Sequence, residues 1–105
     1  IKAARAYLAG NCAEAFILFA PFISNETPQQ HDAAYRSARC LQRSGDLRSA
    51  RNYYERLVEA DPLDAKSMYR LGEVVFEQGE IQRGLELLQR AGRLKPELLT
   101  STTWD

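Results

Sequence analysis

The side chains that could carry catalytic chemistry are few in this 105-residue chain. It has one histidine, His31, and two cysteines, Cys12 and Cys40. A nucleophilic triad needs a histidine beside a serine or cysteine, and a zinc site needs several histidine or cysteine ligands. The six glycines form no G-x-x-x-x-G-K phosphate loop. We therefore expect no catalytic residues, no metal ligands and no cofactor, and we predict that the chain is not an enzyme.

Structural roles explain the histidine and the cysteines better than catalytic or metal-binding roles do. His31 follows residues 28–30, which suggest a turn, so we expect it at a helix start in a surface or capping role. Cys12 and Cys40 are 28 residues apart on different predicted helices, so we expect two small buried thiols. If the protein is exported, a disulfide between Cys12 and Cys40 is the alternative.

Charge and composition narrow the class of protein. The 14 lysines and arginines balance 14 aspartates and glutamates, whereas nucleic-acid binders usually carry a basic excess. Hydrophobic residues make up 45% and charged residues 27%, which is typical of a folded domain. The longest apolar run, residues 15–23, is far shorter than the roughly 20 residues of a membrane-spanning helix. We expect no nucleic-acid partner and no membrane span.

Prolines and glycines recur at one spacing along the chain. Pro28, Pro62 and Pro96 are 34 residues apart, and so are Gly45 and Gly79. A fixed period of this length indicates stacked, similar units that share one core.

Within each unit, apolar and small residues recur at the spacing of a helix face. The stripes are Ala34, Ser37, Ala38, Leu41 and Met68, Leu71, Gly72, Val75, followed by Ala50, Tyr54, Leu57, Val58 and Gly84, Leu87, Leu88, Ala91. We expect Gly45 and Gly79 to close helices in a left-handed turn, and Asp46 and Asp64 to cap the helices that follow. Each proline is expected to end its unit. Every unit is therefore predicted to be an antiparallel helix pair.

These positions resemble the tetratricopeptide repeat, whose signature is W-x2-L-G-x2-Y, then A-x3-F, then P. The unit that ends at Pro96 matches it with Met68-x2-Leu71-Gly72-x2-Val75 and Gly84-x3-Leu88. The unit that ends at Pro62 matches it with Ala34-x2-Ser37-Ala38-x2-Leu41 and Ala50-x3-Tyr54. The first unit matches it with Ala15-x3-Phe19. No unit has the signature tryptophan, and Gly84 stands where alanine is usual. Pentatricopeptide and Sel1-like repeats, which have a close period, are the alternatives.

The resemblance implies an all-α fold, a right-handed α-solenoid of antiparallel helix pairs in one domain. We expect repeat 1 at residues 1–28, truncated at its start, repeat 2 at 31–64 and repeat 3 at 65–98. Residues 99–105 are expected to begin a capping helix or to form a tail. Trp104 would then either cover the last helix pair or lie loose.

In this architecture the first helix of each unit lines a concave groove, so the resemblance also implies which face binds a partner. The residues expected on that face are Tyr35, Arg36, Arg39, Arg43, Lys66, Tyr69, Arg70, Glu73 and Phe76, with Tyr7 extending it. Basic side chains bind carboxylates, and aromatic side chains supply flat apolar contact. We expect a protein or peptide partner, with an acidic or C-terminal segment as the candidate ligand.

Other interpretations of these charges stay open. Lys66-x3-Arg70 resembles the basic pair with which chaperone-binding repeats clamp a terminal carboxylate, although Arg36 replaces the clamp's asparagine. The same charges could form a solvated face, paired along the helix with Glu73 and Glu77. Six arginines within residues 36–56 could contact RNA or an anionic polysaccharide, although they point to several faces.

The resulting prediction is a non-catalytic protein–protein interaction scaffold that binds a partner segment in its groove. The alternatives are a scaffolding or regulatory repeat region of a larger enzyme or of a polysaccharide or secretion assembly, and a homo-oligomerisation module joined through exposed ends. The chain starts at Ile1 without a signal segment, so we expect a piece of a longer protein. The compartment is open, with the cytoplasm slightly favoured over an exported one.

Overall fold

Four helices joined by short loops make up residues 28–100, the part of the chain that the computed structural model describes. They are α1 (Pro28–Arg43), α2 (Leu47–Ala60), α3 (Ala65–Glu77) and α4 (Ile81–Leu94), followed by a 3-10 turn at Pro96–Leu98. Loops of three or four residues make each helix run back along the one before it. Residues 28–100 contain no strand, and the predicted all-α solenoid of antiparallel helix pairs is confirmed.

The predicted loop glycines and helix caps are also confirmed. Gly45 and Gly79 have φ angles of 91° and 95°, in the left-handed region that favours glycine. Asp46 and Asp64 are the N-caps of α2 and α3, and each side chain accepts a hydrogen bond from the backbone N–H three residues later, at 3.2 and 3.1 Å. These bonds satisfy donors that the first turn of a helix leaves unpaired.

The prolines mark the helix pairs less uniformly than predicted. Pro62 and Pro96 each follow the end of a helix by two residues, as expected of a residue that cannot continue it. Pro28 is instead the first residue of α1. Proline suits this position because the first-turn N–H groups have no partner within the helix. The prediction that residues 28–30 form a turn is therefore wrong.

The core is built from the predicted apolar stripes and lies between the helices. Its buried residues include Ala34, Ala38, Ala50, Tyr54, Leu57, Met68, Leu71, Val75, Leu87 and Ala91. Helix α2 packs against both α1 and α3, so the two pairs share one core. Leu98, in the turn after α4, is buried in the same cluster.

Each of the two described pairs, α1–α2 and α3–α4, falls largely within one of the repeats predicted at 31–64 and 65–98. The repeat boundaries themselves stay predictions. Repeat 1, with Tyr7 and Cys12, and the tail with Trp104 lie outside the described residues.

Helices α3 and α4 cross closely because two glycines lie at the crossing. A Cβ atom added to Gly84 would lie 2.8 Å from the Cβ and 2.9 Å from the backbone N and Cα of Phe76. One added to Gly72 would lie 2.9 Å from Cγ of Leu88. Since no methyl group fits against the backbone at this distance, Gly84 replaces the usual alanine for a packing reason.

We expect Gly84→Ala to lower the free energy of unfolding by up to about 2 kcal/mol. Overpacking costs about 1–3 kcal/mol, which exceeds the roughly 1 kcal/mol that alanine gains in helix propensity. Gly92→Ala is the matched control, because the three atoms nearest to its Cβ would all belong to the exposed side chain of Leu99, which can move. Urea unfolding measures both variants, and a Gly84→Ala protein as stable as Gly92→Ala would contradict this account.

Candidate protein-binding site

The first helices of the two pairs, α1 and α3, lie side by side and present one joint surface. Lys66 Nζ lies 4.7 Å from the centroid of the Tyr35 ring, within cation–π distance. Gln42 Nε2 donates a hydrogen bond to Oε1 of Glu73 at 3.4 Å. The α1–α3 surface comprises the outward-facing residues Arg36, Arg39, Arg43, Lys66, Tyr69, Glu73 and Phe76.

Helix α1 contributes a row of basic side chains to the α1–α3 surface. Arg43 is exposed, and Arg36 and Arg39 are half-buried. Their spacing of three, four and seven residues keeps them on one side of the helix. Asp32, on the same side, accepts a hydrogen bond from Nε of Arg36 at 2.9 Å. The row therefore carries three basic side chains on one side of α1.

Helix α3 contributes aromatic side chains beside this basic row. Phe76 is 41% exposed, and Tyr69, two helical turns earlier, is half-buried. The guanidinium carbon of Arg70 lies 6.0 Å from the centroid of the Tyr69 ring. Partly exposed aromatic groups are common in protein–protein interfaces. The α1–α3 surface thus combines cations on one helix with flat apolar groups on the other.

Two residues predicted for the binding face are buried instead. Tyr35 belongs to the core, and the centroid of its ring lies 6.1 Å from that of Tyr54. Arg70 is also buried, and its Nη1 donates a hydrogen bond to Oε1 of Glu73 at 2.8 Å. Neither side chain is therefore exposed on the outer stripe, because each packs where α1 meets α3.

The charge of Arg70 is directed into the protein. Burial acts to lower the pKa of its guanidinium, but hydrogen bonding and negative charge at Glu73, supported by Tyr35, raise that pKa above its usual range. Arg70 therefore stays protonated, and its ion pair with Glu73 confirms the pairing along the helix that the sequence suggested. The alternative of a solvated charge does not apply to Arg70, because its side chain is buried.

A chain of polar contacts between α1, α2 and α3 extends from this surface into the core. Oε1 of Glu73 on α3 accepts from Arg70 and from Gln42, which lies on α1. Oε1 of Gln42 in turn accepts a hydrogen bond from the hydroxyl of the fully buried Tyr54 on α2, at 2.9 Å. These contacts hold the basic and aromatic rows in a fixed relation.

His31 joins the two pairs in a way the sequence analysis missed. Its Nε2 lies 2.6 Å from Oδ2 of Asp64, the N-cap of α3, and the same oxygen accepts from the hydroxyl of Ser67 at 2.6 Å. The carboxylate stands between the histidine and the serine, whereas a nucleophilic triad needs the histidine to contact the hydroxyl. The contact instead bridges α1 and α3. The pattern of residues within one helix could not indicate it, because His31 and Asp64 are 33 residues apart.

The other arginines are dispersed over several faces, as the sequence suggested. Arg51 on α2 forms ion pairs with Glu55, at 3.5 Å, and with Glu80, and it donates to Oε1 of Gln78 at 3.0 Å. Hydrogen bonding and charge from Glu80 raise the pKa of Arg51 despite partial burial. This arginine therefore supports the contact between α2 and the start of α4.

Three further observations concern Cys40, possible metal ligands and the length of the helices. Cys40 is buried, as expected. Among residues 28–100, no three histidine, cysteine or acidic side chains come together as metal ligands would. No helix in this range has both the length and the apolar character needed to cross a bilayer.

The helix pairs, the 34-residue spacing and the small residues at the helix crossing agree with a comparison of the sequence with known families. The tetratricopeptide repeat family matches residues 35–97, and the chain belongs to this family. Domains of this family generally serve as protein–protein interaction modules and are typically non-catalytic. No curated protein matches the chain.

We expect Asp64→Ala to destabilise the protein by about 1–2 kcal/mol, near the upper end for a lost helix cap, because the bridge to His31 is lost as well. Asp46→Ala is the matched control, since Asp46 caps α2 through the same bond and its side chain is exposed. Chemical denaturation compares the two variants. If Asp46→Ala costs as much as Asp64→Ala, the bridge contributes nothing measurable.

Proposed function

We propose that this chain binds an extended segment of a partner protein along the α1–α3 surface. The recognised segment carries acidic side chains that face Arg36, Arg39 and Arg43, and a large apolar side chain that packs on Tyr69 and Phe76. Arginine binds carboxylates through paired hydrogen bonds, and a partly exposed aromatic ring offers contact area at low entropic cost.

The observation that carries the proposal is the adjacency of the two rows. The contacts from Lys66 to Tyr35 and from Gln42 to Glu73 fix α1 and α3 side by side, so one ligand can reach both rows. The rows lie on rigid helices that are already linked by hydrogen bonds, and a preorganised surface loses little entropy on binding.

The burial of Arg70 favours acidic side chains over a terminal carboxylate as the ligand. A clamp of the chaperone-binding type would use Lys66 and Arg70 together, but Arg70 is directed to Glu73. The exposed end of the basic row is Arg43, at the opposite end of the surface from Lys66. We place the principal charge contact there, and we propose a module that binds without catalysing a reaction.

Selection from a displayed library of linear peptides tests the proposed ligand chemistry. We expect the selected peptides to share an acidic residue close to an aromatic or long aliphatic one, and their affinity to fall as salt rises. By calorimetry, Arg43→Glu and Phe76→Ala should each weaken the selected peptide at least about tenfold, equivalent to about 1.4 kcal/mol.

Arg48→Glu is the control for the charge reversal, because Arg48 is exposed on α2, outside the α1–α3 surface. It should leave the affinity unchanged within about twofold. Peptides that bind Arg43→Glu and Phe76→Ala as tightly as the unmodified protein would place the binding site elsewhere.

A further inference from the structure

Helix α4 exposes a stripe of large apolar side chains. The α4 stripe consists of Ile81, Leu85 and Leu88, whose spacing of four and three residues lies along one side of the helix, and the buried Gly92 continues this side. Ile81 is 47% exposed and Leu85 is 41% exposed, while Leu88 is half-buried. Leu99, itself 60% exposed, lies over the position of Gly92 and extends the stripe.

The preceding helix pair shows how such a stripe is normally covered. The positions 34 residues before Ile81, Leu85, Leu88 and Gly92 are Leu47, Arg51, Tyr54 and Val58 on α2, so Leu85 is apolar where α2 has a charged residue. Tyr54 is fully buried, Leu47 and Val58 pack against the core, and α3 lies against this helix. The positions of Ile81, Leu88 and Gly92 therefore correspond to positions that a neighbouring helix covers on α2. Contiguous exposed apolar patches mark interaction sites.

The charges beside the stripe indicate what covers it. Gln82, Glu86, Gln89 and Arg93 form a parallel row one residue further around α4. Glu86 and Arg93 are both exposed and carry opposite charges seven residues apart. If a second α4 lies antiparallel against the first, each Glu86 approaches the Arg93 of the other copy. The row is thus complementary to itself under a two-fold axis, as an isologous interface requires.

We propose that the α4 stripe is the interface of a homodimer in which two copies of α4 pack antiparallel about a two-fold axis near Leu88. Burial of the stripe supplies the affinity, and the reciprocal pairing of Glu86 with Arg93 sets the direction of packing. No residue of the α1–α3 surface takes part, so the proposal stands apart from the proposed peptide binding.

Sedimentation equilibrium of the 105-residue chain over a range of concentrations tests this interface. We expect a monomer–dimer equilibrium, and we expect Leu85→Glu to raise the dissociation constant at least about tenfold, because it buries a charge in the contact. Leu63→Glu is the control: Leu63 is 74% exposed in the loop before α3, outside the stripe, and its substitution should leave the equilibrium unchanged.

Charge exchange tests the direction of packing with variants that keep the apolar stripe intact. Glu86→Arg and Arg93→Glu should each weaken the dimer several-fold, and the double variant should return to within about threefold of the unmodified chain. A chain that stays monomeric up to about 1 mM overturns the proposal, even if it binds an amphipathic helix of another protein. A dimer that Leu85→Glu leaves intact, or a double variant weaker than both single ones, overturns it as well.

Discussion

The packing of α2 between α1 and α3 is the interaction on which the rest of this structure depends. Ala50, Tyr54 and Leu57 on α2 are fully buried, and α2 packs against α1 of its own pair and α3 of the next. A single helix pair cannot bury both apolar sides of its second helix, so stacking is the condition for a closed core. Because α1 and α3 pack against the same helix, they come to lie side by side, and the candidate binding surface follows from the core.

Polar groups at this junction strengthen the arrangement and also limit the surface. The chain of contacts from Tyr54 through Gln42 to Glu73 and Arg70 places hydrogen bonds where α1, α2 and α3 meet. A buried charge that keeps its partner favours one packing geometry, since any shift would leave it unpaired. As a consequence Arg70 is buried, and the binding proposed above relies on the outer arginines of α1 and the aromatic residues of α3.

Much of the fold could be predicted from the sequence because the signals lie within single helices and loops. Gly45 and Asp46 close one helix and begin the next through local geometry, and the stripe of Met68, Leu71 and Val75 repeats at the helical period. Pro28 was misplaced because proline fits the first position of a helix as well as the residues after its end. Contacts between pairs, such as that between His31 and Asp64, have no such local signal.

The candidate site could be predicted only in part for the same reason. Whether a side chain is exposed depends on the neighbouring helices as much as on its residue type. Tyr35 and Tyr69 are 34 residues apart at equivalent places, yet Tyr35 is buried where α3 covers α1, and Tyr69 is half-buried one pair later. The helical period places both tyrosines off the core stripe of their own pair. Their difference in burial arises only from the stacking of the next pair. In a repeat fold, the residues left for binding are therefore those that the following helix does not cover, which is why Phe76 and the arginines of α1 remain on the surface.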